Sequence, residues 1–415
     1  MDSTHSRPAL ACAILGMVLF FVLPNAAWPQ LVVGQYEDEA PMRTWNNIGV
    51  LTTPAVSMGE TQFTLARDCS VALTNPALLS RLPKFTIAIN GAVTRSSFFR
   101  YSLVNTGALS SEENISLYIL ALDFLGASYS FKGWTVSLNF AILEYYYRPG
   151  VRLESKYEGQ AYHTLDFNQD GALSVVNFSL ARKIGAKISL GLGINFVRGW
   201  LEKTVDEQFV LDDFLLKDAV KHDFTGFYMN GGMAYDATEK LTLGAMFRMP
   251  YTKKSDSESR RLFQSPAVSI SSDATAKIIS EQPLVFGVGL SYAWTENLRT
   301  AADLTFVNWS SYEVVSFDEE LERDFKNIFK IGVGSEYWGS FRLFGKRVSA
   351  PLRIGFTFDP QPVREPSVHY LYLTFGTGLH AGRFAVDLGA MLGKEYGSGD
   401  NLSAHKIVLT ISYQH

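Results

Sequence analysis

The sequence is poor in the residues that most protein chemistry needs. Only two cysteines occur in 415 residues, Cys12 and Cys69. Cys12 lies in an N-terminal apolar run, so a single thiol is left for the rest of the chain, too few for an internal disulfide. The seven histidines are scattered and none follows a zinc-binding spacing such as His-Glu-x-x-His. No Gly-x-Ser-x-Gly elbow, phosphate loop or dinucleotide fingerprint is present. The chain is therefore not expected to be an enzyme or to carry a metal or cofactor. An outer-membrane phospholipase would need a Ser/His pair on an outer wall, and no such arrangement is found. Charge is also scarce. Asp, Glu, Lys and Arg make up 19% of the chain, against roughly a quarter in soluble domains. With 37 basic and 41 acidic residues the net charge is −4, which gives no footprint for nucleic acid. No stretch after the N-terminal region reaches the length of apolar run that a membrane-crossing helix needs.

Aromatic residues and glycine are abundant: 29 Phe, 19 Tyr and 33 Gly, in a chain that is 47% hydrophobic. The first 27 residues read as a secretory signal. Arg7 supplies a basic start, Ala9 to Leu23 an apolar run, and Pro24-Asn25-Ala26-Ala27 a small-residue cleavage site. The apolar run is short for a membrane anchor, and its position after Cys12 excludes a lipoprotein box. Residues 28–83 are irregular, broken by Trp28, Pro29, Pro41, Trp45, Pro54 and Gly59, with too little apolar content for a core of their own. Within them Asn75 is a good helix N-cap and Pro76 suits the first helical position. Pro83 limits that helix to a turn or two.

From Phe85 onward the hydrophobic period is two, the mark of strands. Leu284, Phe286, Val288, Leu290, Tyr292 and Trp294 alternate with Val285, Gly287, Gly289, Ser291 and Ala293. Trp134 to Ile142, Ile188 to Phe196, Leu352 to Phe358 and Phe384 to Leu392 behave alike. One face is large and apolar and the other small or polar, which suits a lipid-facing band around a polar or filled lumen better than a soluble sandwich. About fourteen strands can be placed between 85 and 414. Short joins such as Lys132-Gly133 alternate with long ones at 99–115, 149–170, 202–222, 251–282, 310–326 and 394–402. Aromatics mark the strand ends, among them Trp134, Tyr145, Trp200, Trp294, Trp309 and Tyr413. The expected fold is an all-β, closed antiparallel transmembrane barrel over residues 84–415. One strand slips phase: Leu120, Leu122 and Phe124 share a parity, while Leu125, Ala127 and Tyr129 take the other. A bulge at Phe124, Leu125 and Gly126 explains the slip, either as a twist adjustment or as a local break in wall pairing.

Three groups of residues resemble the FadL/TodX family of outer-membrane transporters for hydrophobic compounds. They are Ala66-Arg67-Asp68 leading to Asn75-Pro76-Ala77-Leu78; Ala302 to Phe306 with Asn308-Trp309-Ser310-Ser311; and Leu352 to Val363 followed by His369 to Gly378. The resemblance implies a fourteen-stranded barrel whose N-terminal segment folds into the lumen as a hatch, here residues 28–83 with Arg67, Asp68, Asn75, Pro76 and Ala77. It further implies passive uptake of long-chain fatty acids or aromatic hydrocarbons across the bacterial outer membrane. Capture would occur between outer loops, binding in the lumen, and release through a gap at a kinked wall strand, usually the third. Here the phase slip falls in the second, and the chain ends Tyr413-Gln414-His415 where such barrels commonly end in an aromatic. FadL-like barrels can alternatively serve as partner-binding subunits of secretion or surface-attachment systems.

Candidate site residues follow. Phe209, Leu211, Phe214, Leu215 and Val220 recur at roughly helical spacing in a long join. With Leu262 and Phe263 they form either a capture groove for apolar substrate or a packing surface between loops. Inward parity places Arg248, Arg299, Lys330 and Arg353 in the lumen beside Asp303, Glu336 and Asp387. One of these cations could bind a carboxylate, or all could pair with each other and with Glu60, Arg67 and Asp68. Asp166 to Gly171 mimics the start of a calcium loop, but the twelfth position is Asn177 and no flanking helices fit, so an Asx-rich turn is expected instead. The expected partners are hydrophobic small molecules and outer-membrane lipids, with a monomeric barrel.

Overall fold

A computed structural model describes residues 52–97, 109–110, 116–157, 160–209, 213–316, 319–321, 325–343, 345–365, 367–397 and 403–415. The signal reading over 1–27, residues 28–51 and Leu211 lie outside the described residues. Fourteen antiparallel strands form a closed barrel. They are β1 (Phe85–Ser97), β2 (Ser116–Phe131), β3 (Trp134–Tyr145), β4 (Gln160–Ile184), β5 (Ile188–Phe209), β6 (Phe214–Asp236) and β7 (Leu241–Arg248), then β8 (Val285–Ala293), β9 (Leu298–Val307), β10 (Ile328–Leu343), β11 (Lys346–Pro360), β12 (His369–Ala381), β13 (Phe384–Tyr396) and β14 (Ser403–Gln414). Each pairs with its neighbours in sequence. β14 closes on β1 from Thr86↔Gln414 to Ser96↔Ala404, with reciprocal main-chain bonds between Phe85 and His415 at the end.

Alternation decides which way each side chain points. On β11, Leu352, Ile354 and Phe356 are exposed on the outer face, while Arg353, Gly355 and Thr357 are inward. Short joins sit at one end of the barrel. At Lys132-Gly133 both residues have positive φ, 47° and 80°, the backbone a two-residue hairpin turn requires.

At the other end the strands overrun. β4 has 25 residues, roughly 80 Å at ~3.3 Å per residue, far longer than a wall alone needs. In the joins 149–170, 202–222 and 251–282, read as loops, the described residues are therefore mostly sheet. Residues 202–222 are not an amphipathic helix: β5 and β6 stay paired from Ile188↔Tyr235 to Phe209↔Phe214. Tyr251–Gln264 and Ser269–Gln282 form a further hairpin on the edge of β6. Arg148–Tyr157 pairs back on β4, so the Asp166 to Gly171 stretch is strand as well. The cross-strand pairing of two apolar-rich segments overrides a helical spacing that alone was too short to specify a helix.

Candidate functional site

Residues 52–82 pack on the inward-facing side chains of the wall and are largely buried there. A short helix α1 (Thr53–Val56) is followed by two 3-10 turns, Cys69–Leu73 and Pro76–Arg81. The second begins as its sequence dictates: the Asn75 side chain accepts from Ala77 N at 3.2 Å, and Pro76 follows. Asp68 caps the first by accepting from Ser70 N at 2.8 Å. Cys69, Ala72, Leu73, Ala77, Leu78 and Leu79 are fully buried against the inner wall of β1 to β6.

Glycines let this segment approach the wall so closely. Added Cβ atoms at Gly191, Gly232, Gly244, Gly334, Gly355 and Gly389 would each collide with residues 53–77. At these six positions inward glycine marks contact with the inner segment rather than an open lumen. The contact is also polar. Thr53 N donates to Thr410 Oγ1 at 2.8 Å, Gly59 N to Thr374 Oγ1 at 3.0 Å, and Gln62 N and Phe63 N to Asp303 Oδ2 at 2.6 and 3.0 Å. An amide ladder crosses four strands. Asn139 donates to Asn177 at 3.0 Å, Asn177 to Asn195 at 2.8 Å and Asn195 to Asn230 at 2.8 Å, and Asn230 donates to Ala72 O at 2.9 Å. Sequence reading missed it; its signal was asparagine at inward positions of successive strands.

The lumen charges are mostly paired. Arg353 donates to Glu336 at 2.7 Å and to Asp387 at 2.6 Å, and Arg67 of the inner segment also pairs with Glu336. Lys330 pairs with Glu60 and lies 3.6 Å from Asp359. Arg81 reaches Asp236 at 2.9 Å. Lys330 and Arg353 are thus structural cations. Arg299 is exposed close to the short 294–297 turn. Arg248 differs from all three. It makes no ion pair among the described residues, its Nε is buried without a partner, and its guanidinium lies 5.7 Å from the Tyr228 ring. It lines a cavity of about 60 Å3 together with the charged Glu60, Asp303, Lys330 and Asp359 and the apolar Val285, Val307, Trp309 and Ile328.

The proposed capture residues cluster at the hairpin tips. Phe209 stacks on Phe214 with centroids 4.1 Å apart, and Phe214 meets Phe263 at 5.8 Å. His163 joins from β4, 4.6 Å from Phe209. Leu262 faces Lys217 and Gln264 faces Leu215 across the next pair of strands. Phe263 stays exposed, and Val220 and Leu215 are half-buried. These side chains pack the hairpins on one another and leave an apolar surface at their ends.

The wall has a seam between β2 and β3. Their ladder runs only from Phe131↔Trp134 to Phe124↔Ala141. Beyond it, among the described residues, β2 continues on β1 alone, to Ser97↔Ser116, and β3 on β4 alone, to Tyr145↔Ala172. Both strands carry an extra residue where they part. On β2 it is Asp123, one residue before the expected bulge: Asn90 faces Phe124 and Gly91 faces Leu122. Phe124 consequently points inward and is buried, on the opposite face from Leu120 and Leu122 with which its parity had grouped it, while Leu125 points out. On β3 the extra residue is Leu143. The Asp123 carboxylate accepts from Asn90 Nδ2 at 2.5 Å and lies 3.5 Å from Lys406 Nζ. Leu120, on the unpaired flank, is 83% exposed, against 57% for Leu122 and 45% for Leu125.

A model of the BamG family matches residues 50–406. No curated protein matches the chain. Among solved structures it is similar to the CymD monoaromatic hydrocarbon channel (15% identity, 90% of this chain and 100% of that one, TM-score 0.62). It is similar also to the Pseudomonas putida toluene transporter TodX (14%, 88% and 99%, 0.63) and to a Pseudomonas aeruginosa FadL homologue (12%, 88% and 99%, 0.61). At these identities the likeness is one of fold: the architecture is that of the FadL/TodX outer-membrane transporters.

Proposed function

The chain belongs to the BamG family, and from that premise, joined to a filled barrel with a parted wall, we propose that it is an outer-membrane channel for passive uptake of hydrophobic compounds. The seam between β2 and β3 carries the reading. A barrel built only to anchor or to seal gains nothing from two bulged strands that separate, since each unpaired strand group in an apolar surround costs several kcal/mol. A route from lumen to bilayer accounts for it. The outward band of Leu, Ile, Val and Phe supports reading the fourteen strands as membrane-spanning, with the short turns toward the periplasm.

Transport then proceeds without covalent chemistry. The Phe209, Phe214 and Phe263 cluster with Leu211, Leu215, Val220 and Leu262 captures apolar molecules at the outer surface. Each methylene removed from water there contributes about 0.8 kcal/mol. Residues 28–83 act as the hatch. The cavity beside Arg248, about 60 Å3, is far below the ~300 Å3 or more of a small-molecule site, so the hatch must shift before substrate enters. Arg248 lines that space together with Glu60, Asp303, Lys330 and Asp359, and since Lys330 is paired with Glu60, Arg248 is the lining cation left to attract an acid substrate. Release is sideways through the seam.

Uptake of radiolabelled fatty acid and of a neutral aromatic hydrocarbon, in cells with and without the protein, tests this reading. Faster uptake with the protein supports it; equal uptake in both refutes it. Arg248→Ala is expected to lower acid uptake about tenfold, the scale of one charge-assisted hydrogen bond, and to leave hydrocarbon uptake unchanged.

One observation favours a second reading, a partner-binding subunit of a secretion or attachment system. Among the described residues, the strand at Ser269–Gln282 pairs on its free side only at Ile278 to Glu281. Its Ser269 to Lys277 edge is thus open to strand addition. A stoichiometric protein co-purifying from detergent extract, with no bound apolar molecule, would favour that reading.

A further inference from the structure

We propose that the outer wall at the turn ends of β3, β4 and β5 is a binding site for an anionic phospholipid of the inner leaflet. The inference rests on the transmembrane reading above. A groove of about 580 Å3 opens there, lined by Trp134, Leu180, Arg182, Lys183, Leu190 and Leu192. Register explains the arrangement: Trp134 faces Arg182 across β3 and β4, while Arg182 faces Leu190 and Leu180 faces Leu192 across β4 and β5. Arg182 therefore sits at the level of the interfacial aromatic, with Leu180 and Leu192 one step deeper along the same outward face, while Lys183, opposite buried Ser189, has the inward parity and adds its charge at the rim. A phosphate at the headgroup level and an acyl chain below it match that order of chemistry.

Arg182 is held for this. Its guanidinium lies 4.7 Å from the Trp134 ring centroid, against the wall rather than out in water. Neither Arg182 nor Lys183 makes an ion pair among the described residues, and both are exposed. No Asp or Glu occurs in residues 83–87, 127–136, 180–190, 380–386 or 411–415, the strand ends and turns around this part of the rim. Within the same arc Lys84 lies over the Tyr129 ring at 5.9 Å, and Arg383 donates to Tyr413 Oη at 3.3 Å. Cation beside girdle aromatic is thus repeated from β13 round to β4. The acids of the short turns, Asp236, Glu239 and Glu296, lie beyond β5. A soluble acidic protein would need cations projecting from the end of the barrel and has no use for leucines beneath them, so the lipid is the occupant that fits.

The test is native mass spectrometry of the detergent-purified barrel incubated with equal phosphatidylglycerol and phosphatidylcholine. The wild type is expected to retain phosphatidylglycerol in about tenfold excess, as one wall cation and a second at the rim near the surface imply. The double variant Arg182→Gln, Lys183→Gln should fall to parity, and Arg342→Gln, Lys346→Gln, at another short turn, should not. Heat-shifted migration in gels verifies that each variant is folded. No preference in the wild type, or a preference that survives the double variant, overturns the proposal. So does competition by free glycerophosphoglycerol at equal concentration, which would mean that the acyl groove is not used. Binding of poly-glutamate that depends on Arg182 and Lys183, without lipid retention, would assign the patch to an acidic protein instead. Membrane fractionation separates the two levels of inference. A chain absent from the outer-membrane fraction sinks the transmembrane reading, whereas one that is present but retains no phosphatidylglycerol sinks this proposal alone.

Discussion

The side-chain amide of Asn75 donates to the main-chain carbonyl of Met233 at 3.0 Å, tying the inner segment to the backbone of β6. The same amide donates to Phe63 O at 2.7 Å, and its oxygen accepts from Ala77 N at 3.2 Å. One fully buried residue thus serves as N-cap, as brace within the segment and as anchor to the wall. Asn75→Ala strands two carbonyls and an N–H, at about 1–3 kcal/mol for each buried group left unpaired. The variant is expected to loosen the segment and raise entry of small solutes, as is Pro76→Ser to a lesser degree. Sensitivity to a large hydrophilic antibiotic measures this, and an unchanged inhibitory concentration would return Asn75 to an ordinary turn residue.

Close approach at glycine makes a second prediction with its own control. A Cβ on Gly355 would lie 2.7 Å from Thr374 Oγ1 and run into the backbone of Met58 and Gly59, whereas at Gly339 the nearest atom is Ala350 O at 3.7 Å. Gly355→Ala should destabilise by about 1–3 kcal/mol, the usual cost of overpacking, or expel the inner segment. Gly339→Ala should be neutral. Urea unfolding followed by tryptophan fluorescence compares the two.

The contrast between these glycines shows what could be read from sequence. Parity alone sends Gly355 inward, and the number of strands and closure of the barrel, though not how far the strands overrun, follow from alternation and join length, because one buried and one outward face fix register. Parity does not say what a glycine faces. That depends on contacts between residues hundreds of positions apart, such as Thr53 with Thr410. For the same reason the inward cations could be named but not sorted: Arg353 and Arg248 have the same pattern, and only the fold gives one two carboxylates and leaves the other without. Phe209 to Val220 misled more plainly, since short apolar spacing cannot separate a helix from a hairpin whose partner strand supplies the pairing.

Cys69 offers a reporter of segment movement. It is fully buried, and burial beside Asp68 pushes its thiol well above the ordinary range. The thiol is therefore protonated and shielded at neutral pH, and raising the pH to the usual thiol range should not make it reactive. Maleimide labelling of the purified barrel is expected to be slow at pH 7 and to stay slow at pH 9. Arg67→Gln, which removes the pair with Glu336, should accelerate it severalfold. Fast labelling of the wild type would mean that the segment samples open positions without substrate.

The seam makes the most direct prediction. Asp123 is the residue by which β2 outruns β1, and the β2–β3 ladder ends beside it at Phe124↔Ala141. Deleting Asp123 restores one-to-one pairing with β1 and keeps Leu120 and Leu122 on the outward face with Leu125. The two strands can then continue their ladder past Ala141, and satisfying those backbone groups favours closure. The barrel should stay folded, as shown by heat-shifted migration. Uptake of hydrophobic substrate should fall at least tenfold while binding to detergent-solubilised protein persists. The deletion also removes the carboxylate near Asn90 and Lys406, so Asp123→Ala is the needed companion: it loses the charge but keeps the extra residue, and uptake through it should remain near wild type. If the alanine variant loses uptake as fully as the deletion, Asp123 acts through its charge and the open wall is not the exit. If neither variant changes uptake, the seam is a structural irregularity, and substrate leaves by displacing the inner segment along the barrel axis.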